Sequence, residues 1–290
     1  MTTCRVCGER ENIKVKFRKN SLNILYCQRC RLSYLDYDPK LESIKKFYSE
    51  EYFQGEGKRW GYYNYFAERE NLLLSSQKRL TDIEKIAKVG RILDVGCATG
   101  FFLEAAKESG WKPYGVEVSN FAGSVARKKF GKNVTIGELQ KNTFHKNYFD
   151  AVTLWDTIEH LPDPKETLKI IQGILKRGGL ICLSTGDIES LLAKISGKSW
   201  HLYHLPEHLS FFSPKTIRNL LKSCGFRVIS ISHPGSYYTI EYLIRRLASS
   251  YHGKPLKILE RIITNVSLRK MSLYVNLFDI MTVYAKKDKS

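Results

Sequence analysis

The stretch Arg91 to Phe102, RILDVGCATGFF, constrains the chain more than any other. Ile92, Leu93 and Val95 supply the apolar side chains of a short buried strand. Gly96, Ala98 and Gly100 then turn the backbone into the run Phe101-Phe102-Leu103, which reads as a helix start. A loop of small residues between strand and helix lets the main chain approach a ligand closely, and the free N–H groups of the helix favour a carboxylate or another electron-rich group. The expected guest is a nucleotide-like molecule.

Strands and helices alternate from there: strands over 91–95, 112–118, 132–136, 149–155 and 179–185, with helices over 99–109, 120–130 and 164–176. This alternation predicts an α/β, Rossmann-like, mostly parallel sheet with helices on both faces and ligands at the carboxyl ends of its strands. The second strand ends in Glu117, 23 residues after Asp94, where a carboxylate can accept both hydroxyls of a ribose. The turn is G-x-A-x-G, without the G-x-G-x-x-G spacing of dinucleotide sites or the Gly-Lys-Ser/Thr ending of a P-loop. Those absences weigh against nicotinamide cofactors and nucleoside triphosphates.

Upstream, Cys4-Arg-Val-Cys7 and Cys27-Gln-Arg-Cys30 are two C-x-x-C pairs separated by 19 residues. Four thiolates on two tight turns complete the closed tetrahedral shell of a structural Zn²⁺, and Ile13–Phe17 and Leu22–Tyr26 read as the hairpin of a zinc ribbon over residues 1–38. With all four positions taken by Cys, the metal is expected to be structural. Residues 39–90 read as a helical connector or cap, in which eight aromatics from Tyr48 to Phe66 pack the ribbon onto the main domain. The alternative to packing is that Tyr62 or Tyr63 caps a ligand.

The formal charge of +18 is shared evenly among residues 1–90, 91–239 and 240–290, so it is densest in the last and shortest segment. Such an excess attracts phosphates, anionic headgroups or nucleic acid, yet a solvated surface of mixed sign accounts for it equally well. No run approaches the ~18 apolar residues of a membrane span, and MTTCRVCGER is too polar for a signal peptide, so the expected compartment is the cytoplasm.

With DVGCATG and Glu117 followed by FDAVTLWDTIEHLPDP (149–164), LKRGGLICLST (175–185) and PEHLSFFSPKTIRNLLKSCGF (206–226), the chain resembles the class I S-adenosylmethionine-dependent methyltransferases. More narrowly, it resembles the branch with Glu-His-Leu after the fourth strand and His-Leu-x-x-Phe after the fifth. The resemblance spans about 60–232, and relatives carrying an N-terminal Cys4 module include enzymes acting on sugars. It implies a seven-stranded sheet whose last strand, Leu277 to Ala285, runs antiparallel. It places Asp94, Gly96, Ala98 and Gly100 at the methionine end of S-adenosylmethionine, with Cys97, Thr99 and Phe101 in the same loop and Glu117 on the ribose. It also places Glu138 and Leu139 near the adenine, and Trp155 and Asp156 beside the methyl donor.

A sulfonium methyl is already activated, so the protein must chiefly align an acceptor and, for a hydroxyl, remove its proton. The segment Ser199 to Phe212, SWHLYHLPEHLSFF, falls in an acceptor lid over about 186–213. Its His208 is the first candidate base, Glu207 the residue that orients it, and His160 the second candidate. A structural Glu207–His208 pair and a backbone-bonded His160 are the plainer alternatives. A metal on His201-x-x-His204-x-x-x-His208 has no helical logic around Pro206. Residues 236–270 read as a helical insertion, and the basic amphipathic stretch 240–266 packs either on the domain, on a second subunit or on anionic lipid.

The expected activity is O-methylation of a sugar-containing or other small-molecule acceptor, with a phosphate-bearing, nucleotide-linked or lipid-linked saccharide accounting for part of the charge. An RNA methyltransferase is the first alternative, although the basic residues are dispersed and no base-handling motif follows the fourth strand. A non-catalytic cofactor-binding module is the second.

Overall fold

The computed structural model describes residues 3–54, 65–244 and 271–288. The N-terminal hairpin is β1 (Ile13–Lys19) and β2 (Leu22–Cys27), joined by β3 (Ser33–Leu35). Three helices follow, α1 (Leu41–Phe47), α2 (Glu50–Gln54) and the longer α3 (Arg69–Glu84). The alternating region then runs β4 (Arg91–Val95), α4 (Phe101–Glu108), β5 (Lys112–Glu117), α5 (Asn120–Phe130) and β6 (Val134–Ile136). It continues through β7 (Phe149–Trp155), α6 (Pro164–Ile174), β8 (Leu175–Gly186) and α7 (Leu191–Ser196). The chain closes with β9 (Ser210–Phe211), α8 (Pro214–Ser223), β10 (Phe226–Ser232), β11 (Ser236–Thr239), β12 (Ser272–Val275) and β13 (Ile280–Lys287).

Seven strands form the main sheet in the order β10-β13-β8-β7-β4-β5-β6, and β13 alone runs antiparallel to its neighbours. The parallel strands β4, β7 and β8 are buried on both faces, as helices on each side require, and their side chains are near-continuously apolar. The helices carry the stripes that cover them: α8 buries Ile217, Leu220 and Leu221, and its Ser213 side chain and Thr216 form a reciprocal cap worth about 1 kcal/mol. Every sheet turn that matters for the site lies at one edge, because β4, β5, β7 and β8 all point their carboxyl ends there.

Several boundaries differ from the sequence reading for local reasons. The fifth sheet strand starts at Leu175 rather than 179, because Leu175 pairs with Phe149 before Gly178, at φ 69°, kinks the register. The antiparallel strand starts at Ile280 rather than Leu277, since the Asn276 side chain accepts the Phe278 N–H (2.8 Å) and holds Leu277 and Phe278 in an exposed turn. The insertion at 236–270 is not helical throughout. Ser236–Thr239 is a strand paired with Ser272–Val275, and helical backbone begins only at 240, where the Tyr242 N–H meets the Thr239 hydroxyl (3.0 Å). The rest of the basic stretch 240–266, from 245 onward, lies outside the described residues, as do Tyr62 and Tyr63.

The ribbon is not closed on itself. Its sheet has the order β1-β2-β3-β9, so the fourth strand comes from the lid: Ser33 pairs with Phe211 and Tyr34 with Ser210. Among the described residues no helix is long and apolar enough to cross a membrane.

Candidate active site

The loop after β4 is held by conformations that most residues avoid. Gly96 (φ 80°), Ala98 (φ 46°) and Gly100 (φ 88°) all have positive φ. A Cβ on Gly96 would lie 2.6 Å from the Thr157 Oγ1, so the loop abuts the turn after β7 without room for a side chain. Asp94 is buried at the tip of β4 and accepts the Thr153 hydroxyl at 2.7 Å. Burial pushes its carboxyl up to about 7; Thr153 and the charge of Arg79 pull it back, and Glu117 adds to the rise. Glu117 is buried at the tip of β5. Its Oε2 accepts the Ala98 N–H and its Oε1 the Ser119 N–H, both at 2.8 Å, which leaves a lone pair on each oxygen for a ligand hydroxyl. Burial raises this carboxyl as well, against those amides.

These groups line a cavity of about 530 Å³. Asp94, Gly96, Cys97, Ala98, Phe101, Glu117, Glu138, Leu139, Trp155 and Asp156 all reach its wall. Thr99 and Gly100 do not: Thr99 is fully buried, and Gly100 is the left-handed cap of α4, packed 3.0 Å from Phe130 where its Cβ would be. Cys97 borders the cavity while its sulfur fills the space over Gly115, where a Cβ would approach to 2.5 Å. It also packs among Leu103, Ala126 and Val134.

Residues that the sequence did not single out complete the wall. Leu72, Ser75, Ser76 and Arg79 come from one face of α3 at helical spacing, mostly small or polar side chains. That spacing was the available signal. Arg79 stacks over Trp155 (4.4 Å) and pairs with Asp156 (3.6 Å), which itself sits at φ 50° and accepts the Ser184 hydroxyl at 2.7 Å. Among the described residues, the aromatics of the connector that reach the cavity are Tyr48, Tyr52, Phe53 and Tyr65, the last stacked on Phe101 at 5.5 Å.

A second cavity, about 250 Å³, adjoins the first. Tyr48, Tyr52, Asp156 and His160 line both, while Glu159, His201, His204, Glu207 and His208 line only the second. The His160 and His208 rings meet edge-on with centroids 4.5 Å apart. The His160 Nδ1 lies 2.9 Å from the Tyr48 hydroxyl and 3.0 Å from the Glu207 carbonyl oxygen. A proton on Nδ1 therefore donates to that carbonyl and leaves Nε2 as the acceptor nitrogen. Here the expected geometry changes: Glu207 meets the site through its main chain and at His160, and its carboxylate Oε2 is buried without a hydrogen bond. Burial, then the neighbouring His160 and His204, hold the His208 imidazole well below its ordinary pKa, and burial lowers His160 too. Glu159 moves the other way, pushed up to about 8 by burial and Asp156.

At the far end of the ribbon the Cys4, Cys7, Cys27 and Cys30 sulfurs lie within 4.8 Å of one another, with Cys4–Cys30 and Cys7–Cys27 each at 3.5 Å. Four thiolates 2.3 Å from a tetrahedral Zn²⁺ stand about 3.8 Å apart, so the set fits that ion with small adjustments. Gly8 (φ 73°) and Arg31 (φ 67°) close the two knuckles, donating to the Cys4 and Cys27 carbonyls.

A family profile described as a methyltransferase domain matches residues 63–231. Among curated proteins, a ubiquinone biosynthesis O-methyltransferase of Marinobacter nauticus is 30% identical over 160 residues, covering 50% of this chain and 67% of that protein. One of the same name from Azoarcus is 27% identical over 155 residues, covering 49% and 66%. The chain thus spans about two thirds of the length of these relatives. A solved S-adenosylmethionine-dependent methyltransferase from Archaeoglobus fulgidus shares the fold, with TM-score 0.51 and 24% identity over 77% of this chain and 99% of that one. With its Rossmann-like sheet, its strand-tip carboxylates and a profile match over more than half its length, this chain belongs to the methyltransferase domain family.

Proposed function

We propose that the protein transfers a methyl group from S-adenosylmethionine to a hydroxyl of a small polyhydroxyl acceptor. The observation that supports this reading is the junction of two cavities at Tyr48, Asp156 and His160, which we assign to the donor and the acceptor. The donor cavity fits a cationic, ribose-bearing ligand. Asp94 and Glu117 are buried carboxylates that burial pushes up, so a cationic group on Asp94 and hydroxyl donors on the free lone pairs of Glu117 would favour their charged forms, and the Gly96 loop leaves no Cβ in the way. Asp94 would face the ammonium of the methionine moiety, Glu117 the ribose hydroxyls, Leu139 the adenine edge, and Trp155 the wall beside the sulfonium. When bound, S-adenosylmethionine supplies a methyl group on an activated sulfonium.

The chain's own residues do the rest. His208, neutral at physiological pH, takes the hydroxyl proton as the acceptor oxygen gains the methyl group. His160, fixed at Nδ1 by the Glu207 carbonyl and Tyr48, aligns the acceptor at the junction. Asp156, Glu159, Glu207 and Asp279 ring the acceptor cavity, and no Lys or Arg is among its described lining residues. The methylated end is therefore a neutral polyhydroxyl group such as a saccharide, and any phosphate or lipid it carries stays outside the cavity. The relatives named as O-methyltransferases support oxygen as the atom methylated. The small cavity favours such an acceptor over RNA. The ribbon cysteines are proposed to hold a structural Zn²⁺.

The test is transfer of labelled methyl from S-adenosylmethionine into fractionated cell extract, with calorimetry of cofactor binding alongside. Label in a small saccharide fraction supports the reading, and no binding of S-adenosylmethionine by the wild-type chain ends it.

A further inference from the structure

We infer that the zinc ribbon sets the geometry of the histidine pair, and that Arg5, inside its first knuckle, is a positioning residue for methyl transfer. The ribbon is attached at two places to the segments that carry the two histidines, the first of them at Pro162 on the edge of the first cavity. The first is Arg5, between Cys4 and Cys7, whose side chain is only 7% exposed. Its Nη1 donates to the Pro162 carbonyl at 2.7 Å, and its Nη2 donates to the Tyr37 carbonyl. Pro162 ends the short loop that carries Glu159 and His160. The guanidinium fork thus ties that loop to the last turn of the ribbon, a bridge that a planar five-donor group makes and an ammonium cannot reproduce on both sides.

The second attachment is a ladder through Leu209, the residue after His208. The Leu35 N–H donates to the Leu209 carbonyl at 2.9 Å, while the Leu209 N–H donates to the Glu159 carbonyl at 2.8 Å. One residue therefore joins the ribbon strand, the His208 segment and the His160 loop, and β3–β9 pairing extends the join to Phe211. Neither attachment touches the loop after β4 or Glu117. A ribbon held by its metal keeps the two imidazoles in register with each other. Four unlinked thiols would let the first knuckle open, and Arg5 would leave Pro162. This turns a module of no evident chemistry into the frame of the acceptor site.

The inference rests on the reading of His160 and His208 as acceptor-side machinery, but its measurements need no acceptor. The full chain, zinc-loaded, is compared with Arg5→Met by hydrogen exchange, by NMR titration of the imidazoles and by calorimetry with S-adenosylmethionine. The variant keeps all four cysteines. Expected are exchange about tenfold faster over 158–161 and at Leu209, as for the loss of one charge-assisted bond. The His160 and His208 titrations should move toward the ordinary imidazole value, S-adenosylmethionine affinity should stay within twofold, and Arg5→Lys should restore part of the protection. Chelation of zinc is expected to free the same two segments while β4, β5 and β6 stay protected. Unchanged exchange and titration in Arg5→Met overturn the inference, as does an equal loss of S-adenosylmethionine binding. Absence of methyl transfer by the wild-type chain would fail the functional reading and with it Arg5's part in transfer, while the exchange and titration results would still decide whether the ribbon sets the geometry of the histidine pair.

Discussion

The two cavities, proposed to take the donor and the acceptor, share a wall but are assembled in different ways. The donor floor comes from strand tips in one sheet: Asp94, the Gly96 loop and Glu117 are joined by parallel pairing, and the contact between Ala98 and Glu117 is main chain to carboxylate. The second cavity takes its histidines, its carboxylates, Tyr48 and Tyr52 from the connector, the turn after β7, the lid and the turn before β13, while paired strands supply Gly186 with Ile280 and Ser236 with Val275. A site built on strand tips tolerates change elsewhere, whereas one built on loops depends on whatever ties the loops together. The two halves should therefore fail separately.

The largest separation is expected from His208→Ala. Methyl transfer should fall about 10²–10⁴-fold, the usual contribution of a positioned base, while calorimetry gives unchanged S-adenosylmethionine affinity. Retained turnover here, with loss in His160→Ala, would move the proton to the other ring. The mirror experiment is Glu117→Ala. Loss of its bonds to ligand hydroxyls should weaken S-adenosylmethionine about 10- to 100-fold, with the histidine titrations undisturbed. Unchanged affinity would place the ribose elsewhere and collapse the division between the cavities.

Acid and base limbs of stability separate the halves more gently. His160 and His208 have folded pKa values below the free imidazole, so their neutral forms favour the fold. That contribution is complete above about pH 6.5 and is lost as pH falls below it, because the unfolded chain takes up protons first. Asp94, raised to about 7, has the opposite sign: its contribution is greatest below about pH 4 and is lost as pH rises through 7. Denaturant midpoints against pH should show the acid-side decline flattened in His208→Phe and the decline between pH 4 and 7 flattened in Asp94→Asn. The smallest effect is expected for Tyr48→Phe, which removes one hydrogen bond to His160 and should cost transfer roughly three- to tenfold with little change in cofactor binding. A loss confined to cofactor binding would assign Tyr48 to the donor side.

Much of the donor half was legible in the chain. Gly96, Ala98 and Gly100 announce a backbone of positive φ, and a carboxylate closing the second strand lies beside that loop once the strands pair in parallel. The same reading placed Thr99 in the binding loop, although strand-to-helix geometry turns it inward, and it missed the α3 face that carries Arg79. The acceptor half was legible as a set of residue types only. His160 and His208 stood out as titratable groups in loops, but Glu207 was assigned to orient His208 by adjacency, while folding turned its carbonyl toward His160 instead.

By itself, then, the sequence determined the alternating sheet, the donor loop with Glu117, and the four ribbon cysteines, because each is written in short-range pattern: apolar period, small residues at a turn, thiols at fixed spacing. The tertiary structure alone decided that the fourth ribbon strand is Ser210–Phe211, that Arg5 reaches Pro162, and that Tyr48, His160 and His208 meet. Those contacts join residues far apart in the chain, from 48 positions for His160 and His208 to 178 for Ser33 and Phe211, and no local propensity specifies them. They follow from which surfaces remain to be buried once the local elements have formed.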